Sequence, residues 1–229
     1  MIYIGMDDTD TADSRGTGAL ARRAAAELAA DYQVLGVIRH QLLRDPRVPC
    51  TRNNSSKALL LEGGPAVDLA ALAARVRAVM LADFIPGSDP GLCVTAAVPD
   101  AVVAFGRRAQ AELLTQDAAR DLAANHGLYL EGLGGDEMGV IGALAAVGLT
   151  AGGEAGRYIQ VGCCRDLAGL QPVAALLAAG VARVETRDGR PVAEGLVLAD
   201  NLRPARRHGV PVAVVEPDGD GAWVPVKLD

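Results

Sequence analysis

The sequence predicts a protein of the α+β class, and two patterns in its first hundred residues carry this prediction. Short apolar runs of strand length are bounded by polar or glycine-containing segments, and two longer segments show the three- and four-residue spacing of an amphipathic helix. Their order along the chain is β-α-β-β-α-β. This is the order of a ferredoxin-like sandwich, in which two helices cover one face of an antiparallel sheet.

The individual elements of this sandwich follow from the same two patterns. Four strands are predicted from the runs MIYIGM, QVLGVIRH, SKALLLEG and GLCVTAAV. The first helix is predicted over GALARRAAAELAADY, where Leu20, Ala24 and Leu28 share one face. The second helix is predicted over AVDLAALAARVRAVMLADF. Its inward face is expected to carry Leu69, Leu72, Val76 and Met80.

Beyond residue 99 the chain departs from this simple order. Residues 99–125 look helical and end at the glycine of an Asn-His-Gly sequence. A strand, a glycine-rich turn and an apolar helix are then predicted in LYLEGLGGDEMGVIGALAAVGL. The remainder is richer in strands, with turn signals at 188–189 and 218–221. We therefore expect a nucleotide-binding region at 1–150 and a small strand-rich C-terminal subdomain at 151–229, packed on it.

The overall charge and the N-terminal sequence limit the classes of function. A formal net charge of −6 gives no general basic surface of the kind that drives non-specific binding to nucleic-acid phosphates. The sequence MIYIGMDD does not resemble a secretory signal, and no run of about 20 apolar residues suggests a membrane span. A cytoplasmic protein without membrane association is therefore expected.

Three carboxylates follow the first predicted strand: Asp7, Asp8 and Asp10. They repel one another unless a positive charge lies among them. Hard divalent cations, Mg²⁺ above all, prefer oxygen ligands and often bridge to phosphates. The cluster therefore predicts a Mg²⁺ site. The alternative is a solvated acidic turn in which Asp8 or Asp10 caps the next helix.

A turn of small residues, Gly16, Thr17 and Gly18, lies between the aspartates and the first helix. Free backbone N–H groups and the helix dipole attract anions at a helix N-terminus, and glycines let a phosphate approach the backbone closely. These residues are therefore candidates for phosphate binding. An ordinary glycine-containing helix entry is the alternative.

Three further segments are candidates for ligand contact. The polar run at 45–57 contains Arg52 and Asn54, which could bind phosphate oxygens or could belong to a plain surface loop. Gly139 and Gly142 open the apolar helix, which could border a nucleotide or could simply be buried. The only local basic cluster, defined by Arg203, Arg206, Arg207 and His208, could contact an anionic partner or form a solvated turn.

Four blocks in this order, IGMDDTDTADSRG, RVPCTRNNSS, SDPG and MGVIGALAAVG, resemble the N-terminal half of the tRNA-isoleucine 2-agmatinylcytidine synthetase family. The resemblance covers residues 1–150 and describes a shorter relative. That family uses ATP and Mg²⁺ to activate a tRNA cytosine and couple it to agmatine. The family's threonine near the aspartates lies in a Met-Cys-Thr-Thr sequence, and Thr17 is the nearby candidate here.

The resemblance implies a role for each candidate residue. Catalytic roles are expected for Asp7, Asp8, Asp10 and Thr17, with the three aspartates also holding the metal. ATP contacts are expected from Gly16, Gly18, Arg52, Asn54, Gly139 and Gly142. The C-terminal remainder has no paired Cys-x-x-Cys sequences like those of the family's zinc ribbon, so we do not expect the isolated chain to bind tRNA.

The function expected from the sequence is that of an ATP- and Mg²⁺-dependent transferase or ligase acting on a small-molecule acceptor, with an amine among the candidates. Two alternatives remain open at this point. The chain could be a non-catalytic nucleotide-binding module, or a tRNA-modifying subunit that depends on separate RNA-binding domains.

Overall fold

The structure is a computed structural model that describes residues 1–9, 16–48, 50, 53–63, 67–219 and 221–228. The chain divides into two compact units, the first comprising residues 1–152 and the second residues 153–229. Asp10 and Arg52, both predicted site residues, lie outside the described residues.

The first unit is built on an antiparallel sheet. Its strands in the described part of the chain are β1 (Ile2–Asp7), β2 (Val34–Gln41), β3 (Ser55–Leu61), β4 (Gly91–Thr95) and β5 (Tyr129–Gly132). They lie side by side in the order β5-β4-β1-β3-β2, and each neighbouring pair is antiparallel. Strand β1 is therefore the middle strand. Because β1 and β3 are antiparallel, the C-terminal end of β1 lies beside the start of β3.

The helices of the first unit are α1 (Thr17–Leu28), α2 (Leu69–Ala82), α3 (Asp100–Ala109), α4 (Gln116–Asn125) and α5 (Gly139–Gly152). The predicted α+β class and the β-α-β-β-α-β order of the first six elements are both confirmed. The helical periodicity is also confirmed in α1, where Leu20, Ala24 and Leu28 are buried. In α2, Leu72, Val76 and Met80 are buried, whereas Leu69 is half-buried.

The prediction of one helical segment over 99–125 is wrong in one respect. Helices α3 and α4 are separated by residues 110–115. The Thr115 hydroxyl accepts a hydrogen bond from the backbone N–H of Ala118 at 3.2 Å and so caps the start of α4. Since no glycine or proline marks this break, the periodicity alone did not reveal it.

Helix α5 is the centre of the first unit and is buried along most of its length. Glycines allow its neighbours to approach: a β-carbon added at Gly5 of β1 would lie 1.9 Å from the carbonyl oxygen of Ala143. On α5 itself, a β-carbon at Gly148 would lie 2.1 Å from the carbonyl oxygen of Val102 in α3. The helix is therefore fixed tightly against β1 and α3, which positions its N-terminus beside the end of β1.

The described part of the second unit has mostly short strands, one α-helix and a 3-10 helix at Cys164–Asp166. Its described elements are β6 (Arg157–Gln160), β7 (Leu170–Pro172), α6 (Val173–Ala178), β8 (Arg183–Thr186), β9 (Leu196–Leu198), β10 (Ala205–Arg207), β11 (Val210–Pro217) and β12 (Trp223–Pro225). Strand β11 pairs antiparallel with β10 and β12 and parallel with β8. The antiparallel pairing of β11 and β12 agrees with the turn predicted at 218–221.

The turn at Asp188-Gly189 is followed by limited pairing and not by a hairpin of two full strands. The backbone N–H of Thr186 donates to the Arg190 carbonyl at 2.8 Å, and that of Val192 donates to the Val184 carbonyl at 2.9 Å. These two bonds form a single bridge between Glu185 and Pro191. No helix within the described ranges is long and apolar enough to cross a membrane.

Candidate nucleotide site

The last residue of β1, Asp7, directs its carboxylate at helix α5. A β-carbon added at Gly142 would lie 1.7 Å from the Oδ2 atom of Asp7, so this position accepts only glycine without moving the carboxylate. Asp7 is half-buried. The predicted residues Asp7 and Gly142, which are far apart in sequence, are therefore in direct contact.

The next residue, Asp8, has a left-handed backbone with φ of 51°. Non-glycine residues adopt this conformation at a cost of about 1–2 kcal/mol, although aspartate does so more readily than most. Asp89 connects Asp8 to α5: its N–H donates to the Asp8 carbonyl at 3.1 Å, and its carbonyl accepts from Gly139 N–H at 2.9 Å. The Asp8 backbone and the start of α5 are thus held together through one residue.

Asp89 also fixes the loop that precedes α5. Its Oδ1 atom accepts a hydrogen bond from the backbone N–H of Asp136 at 2.6 Å. We expect Asp89→Ala to destabilise the fold by about 1 kcal/mol and to weaken nucleotide binding, because the loop loses its acceptor. Asp89→Asn retains an acceptor oxygen and should behave like the wild type. Thermal denaturation and titration calorimetry of both variants check this prediction. An equal loss of stability and affinity in the Asn and Ala variants would contradict it.

The start of α1 lies close to the same turn. Gly16 precedes the helix with φ of 80° and ψ of 151°, a conformation that favours glycine. Thr17 is buried, and its Oγ1 atom accepts from the Thr9 N–H at 3.4 Å. The predicted catalytic threonine therefore contacts the segment that directly follows Asp8. Gly18 lies in the first turn of α1.

Asn54 borders the cleft and is bonded to the segment around residue 42. Its Nδ2 atom donates to the Leu43 carbonyl at 2.9 Å, and its carbonyl accepts from the Leu42 N–H at 2.9 Å. These bonds hold the segments around residues 42 and 54 together. The side chain thus has a structural partner in addition to its predicted role in nucleotide contact.

Several of these residues border one open cleft in the described part of the first unit, with a volume of about 120 Å³. Its lining includes five of the predicted residues: Asp7, Asp8, Asn54, Gly139 and Gly142. Typical small-molecule sites have about 300–1,000 Å³, so this cleft would enclose only part of a ligand. Gly16 borders a second hollow, together with Thr9 and Arg23.

Arg47 also lines the cleft and forms an ion pair with Asp45, at 2.7 Å between Nη2 and Oδ2. Hydrogen bonds from Arg47 lower the pKa of Asp45 to about 2. The pair is at the surface, so it organises the loop more than it stabilises the protein.

The fit to a metal ion depends on the two described aspartates. Within the described ranges, no three His, Cys, Asp or Glu side chains gather closely enough to hold a metal ion. Asp7 and Asp8 supply carboxylate oxygens, the donor type that Mg²⁺ prefers, and Asp10 is outside those ranges. Two aspartates at a cleft fit a metal that keeps several waters and binds mainly through phosphates.

The basic cluster of the second unit is engaged in internal contacts. Arg206 is 5% exposed and donates to the Tyr158 hydroxyl and to the Gly209 carbonyl. Arg207 pairs with Glu185, and His208 lies 3.0 Å from Glu154. These contacts favour the interpretation of the cluster as a structural turn.

The α+β fold of the chain is shared by solved structures. No protein-family model and no curated protein sequence matches the chain. The crystal structure of the TiaS–tRNA(Ile2)–ATP complex is similar, with 25% identity, a TM-score of 0.57, and coverage of 64% of this chain and 36% of that one.

Two further structures show the same likeness. A tRNA fluorescent labelling enzyme matches with 25% identity and a TM-score of 0.56, over 64% of this chain and 35% of that one. Apo TiaS, named as tRNA-Ile2 agmatidine synthetase, matches with 24% identity and a TM-score of 0.53 over the same shares. The chain thus spans about a third of the structures it matches. The predicted resemblance to this synthetase, as a shorter relative, is confirmed.

The expectation that the chain does not bind tRNA gains no support from these comparisons, since the first of these structures is a tRNA complex.

Proposed function

We propose that the chain binds ATP in the cleft and uses it as a transferase or ligase that activates an acceptor. One observation carries the proposal: Asp7 at the end of the central strand and Asp8 directly after it lie beside the N-terminus of α5 and line an open cleft. The likeness of the fold to a synthetase whose crystal structure contains ATP supports it.

The triphosphate is assigned to the aspartate end of the cleft. The dipole at the start of α5 favours negative charge there, although the Gly139 N–H itself already donates to the Asp89 carbonyl. Gly142 leaves room for the Asp7 carboxylate, and Gly139 leaves room for the backbone of Asp89 and Gly91. Catalysis would then consist mainly of positioning and electrostatic stabilisation, as in other phosphoryl transfers.

Mg²⁺ is proposed to be held by Asp7, Asp8 and Asp10, where it would neutralise charge on the phosphates. Thr17 is proposed to contact the terminal phosphate, because its hydroxyl lies beside the segment that follows Asp8. Gly16 and Gly18 are proposed to let a phosphate approach the backbone, and Arg52 to stabilise developing negative charge.

The acceptor is proposed to be a small molecule that carries an amine. The experiment supplies the protein with ATP, Mg²⁺ and agmatine or a simple diamine, and measures ADP, AMP and the coupled product. We expect slow ATP cleavage alone, faster cleavage with the correct amine, and loss of both in Arg52→Ala. If the protein binds ATP but releases neither product over hours, even with cell extract as a source of acceptor, it is a nucleotide-binding module.

A second candidate function is that of a tRNA-modifying subunit. It is favoured by the likeness to a structure that contains tRNA, and it requires RNA-binding domains from another chain. A filter-binding assay distinguishes the two candidates. Sub-micromolar tRNA binding with a steep salt dependence would favour the tRNA role.

A further inference from the structure

One half of the cleft is apolar, and nothing in the proposed chemistry of the aspartates uses it. We define the apolar wall as six residues: Leu42, Leu43, Val48, Leu113, Met138 and Ile141. Leu113 is 45% exposed and Met138 is 37% exposed, although both border a cleft. A ligand in the cleft would remove this apolar surface from water, which is favourable.

The polar side chains that border the wall already have partners. Asn54 donates to the Leu43 carbonyl, Arg47 to Asp45, and Arg108 donates to Glu112 at 2.9 Å. Two backbone N–H groups of the wall are also engaged, because that of Leu42 donates to the Asn54 carbonyl and that of Leu43 donates to the Ala109 carbonyl, both at 2.9 Å. The wall therefore offers apolar contact area whose bordering polar side chains are already bonded to the protein.

We propose that the apolar wall holds the base of the nucleotide by non-polar contact and does not read its hydrogen-bonding edge. This inference rests on the proposed function, since it places the base in the same cleft as the triphosphate. Continuity argues for a base as occupant: the wall adjoins Asp7, Asp8 and Gly139, and the flat faces of a purine are the least polar surface of the ligand proposed there.

A consequence is weak discrimination between purines. An apolar site discriminates only modestly between two ligands that differ in their polar groups. A site that forms hydrogen bonds with those groups discriminates between the ligands by a factor of about 10⁴ or more. ATP and GTP should therefore bind with affinities within about tenfold of each other. Tripolyphosphate, which has the phosphates but no base, should bind more weakly than either.

The test is titration calorimetry of the full chain with Mg²⁺ and each of these three ligands, repeated on two variants. Leu113→Ala removes part of the wall. It should weaken the affinities for ATP and GTP by a similar factor of about three to ten and leave the affinity for tripolyphosphate unchanged. Leu177→Ala is the matched control, because Leu177 is 43% exposed in the second unit. It should leave all three affinities unchanged.

The outcomes separate this inference from the proposed function. A preference above a hundredfold for one purine, or ATP binding that Leu113→Ala leaves unchanged, would overturn the assignment of the base while ATP binding stands. If neither nucleotide binds the wild-type protein, the proposed function itself fails and the inference fails with it.

Discussion

Asp7→Asn is expected to weaken Mg²⁺-dependent ATP binding by roughly a hundredfold or more, the range seen when one member of a buried charge pair is removed. The substitution keeps the shape of the side chain and its contact with Gly142 but removes the charge that would face the metal. Asp8→Asn should have the same effect. Titration calorimetry with and without Mg²⁺ measures it.

The control for this prediction is Asp121→Asn, which makes the same change of charge at an exposed position of α4. It should leave ATP affinity unchanged. If Asp7→Asn and Asp8→Asn both bind ATP like the wild type, the two carboxylates have no part in binding. In an empty acidic turn, the same substitutions would instead stabilise the fold slightly by relieving repulsion.

The largest effect on stability is expected from Gly5→Ala. The new β-carbon would lie 1.9 Å from the backbone oxygen of Ala143, and neither the central strand nor the buried helix can move without disturbing the core. Overpacking of this kind costs about 3 kcal/mol. Chemical denaturation of the variant measures the loss as a lower midpoint with an unchanged slope.

Gly152→Ala provides the comparison, because its β-carbon would meet only the Cγ1 atom of Val103, at 3.1 Å. A side-chain methyl group can adjust where a backbone carbonyl cannot. This variant should remain within about 1 kcal/mol of the wild type. Equal stability of the Gly5 and Gly152 variants would mean that α5 does not pack as closely on β1 as the structure describes.

The sequence predicted the first six elements because each is a run with one dominant periodicity. The apolar face of α1 and the fully buried β3 are examples in which local pattern and burial agree. The break between α3 and α4 was not predicted because it depends on one capping hydroxyl, that of Thr115. The short pairing after β8 was not predicted because the turn signal at Asp188-Gly189 carries no information on the length of the flanking strands.

The candidate site was predictable where its chemistry is local. Asp7 ends one strand and Asp8 follows it, and Gly139 and Gly142 open one helix, so their positions and the family resemblance pointed to them. The apolar wall is assembled from separate segments around residues 42, 113 and 138, whose leucines and methionine look like ordinary core residues. Asp89 lies in the SDPG block that carried the resemblance, but its two backbone bonds and one side-chain bond are visible only in the structure.

A crystal structure with Mg²⁺ and a non-hydrolysable ATP analogue tests the central claim most directly. We predict the phosphates at the end of β1 beside Gly139, with the metal bridging them to Asp7 and Asp8 and the base against the apolar wall. A nucleotide bound elsewhere on the chain, or phosphates in the cleft without contact to either aspartate through a metal, would contradict the account.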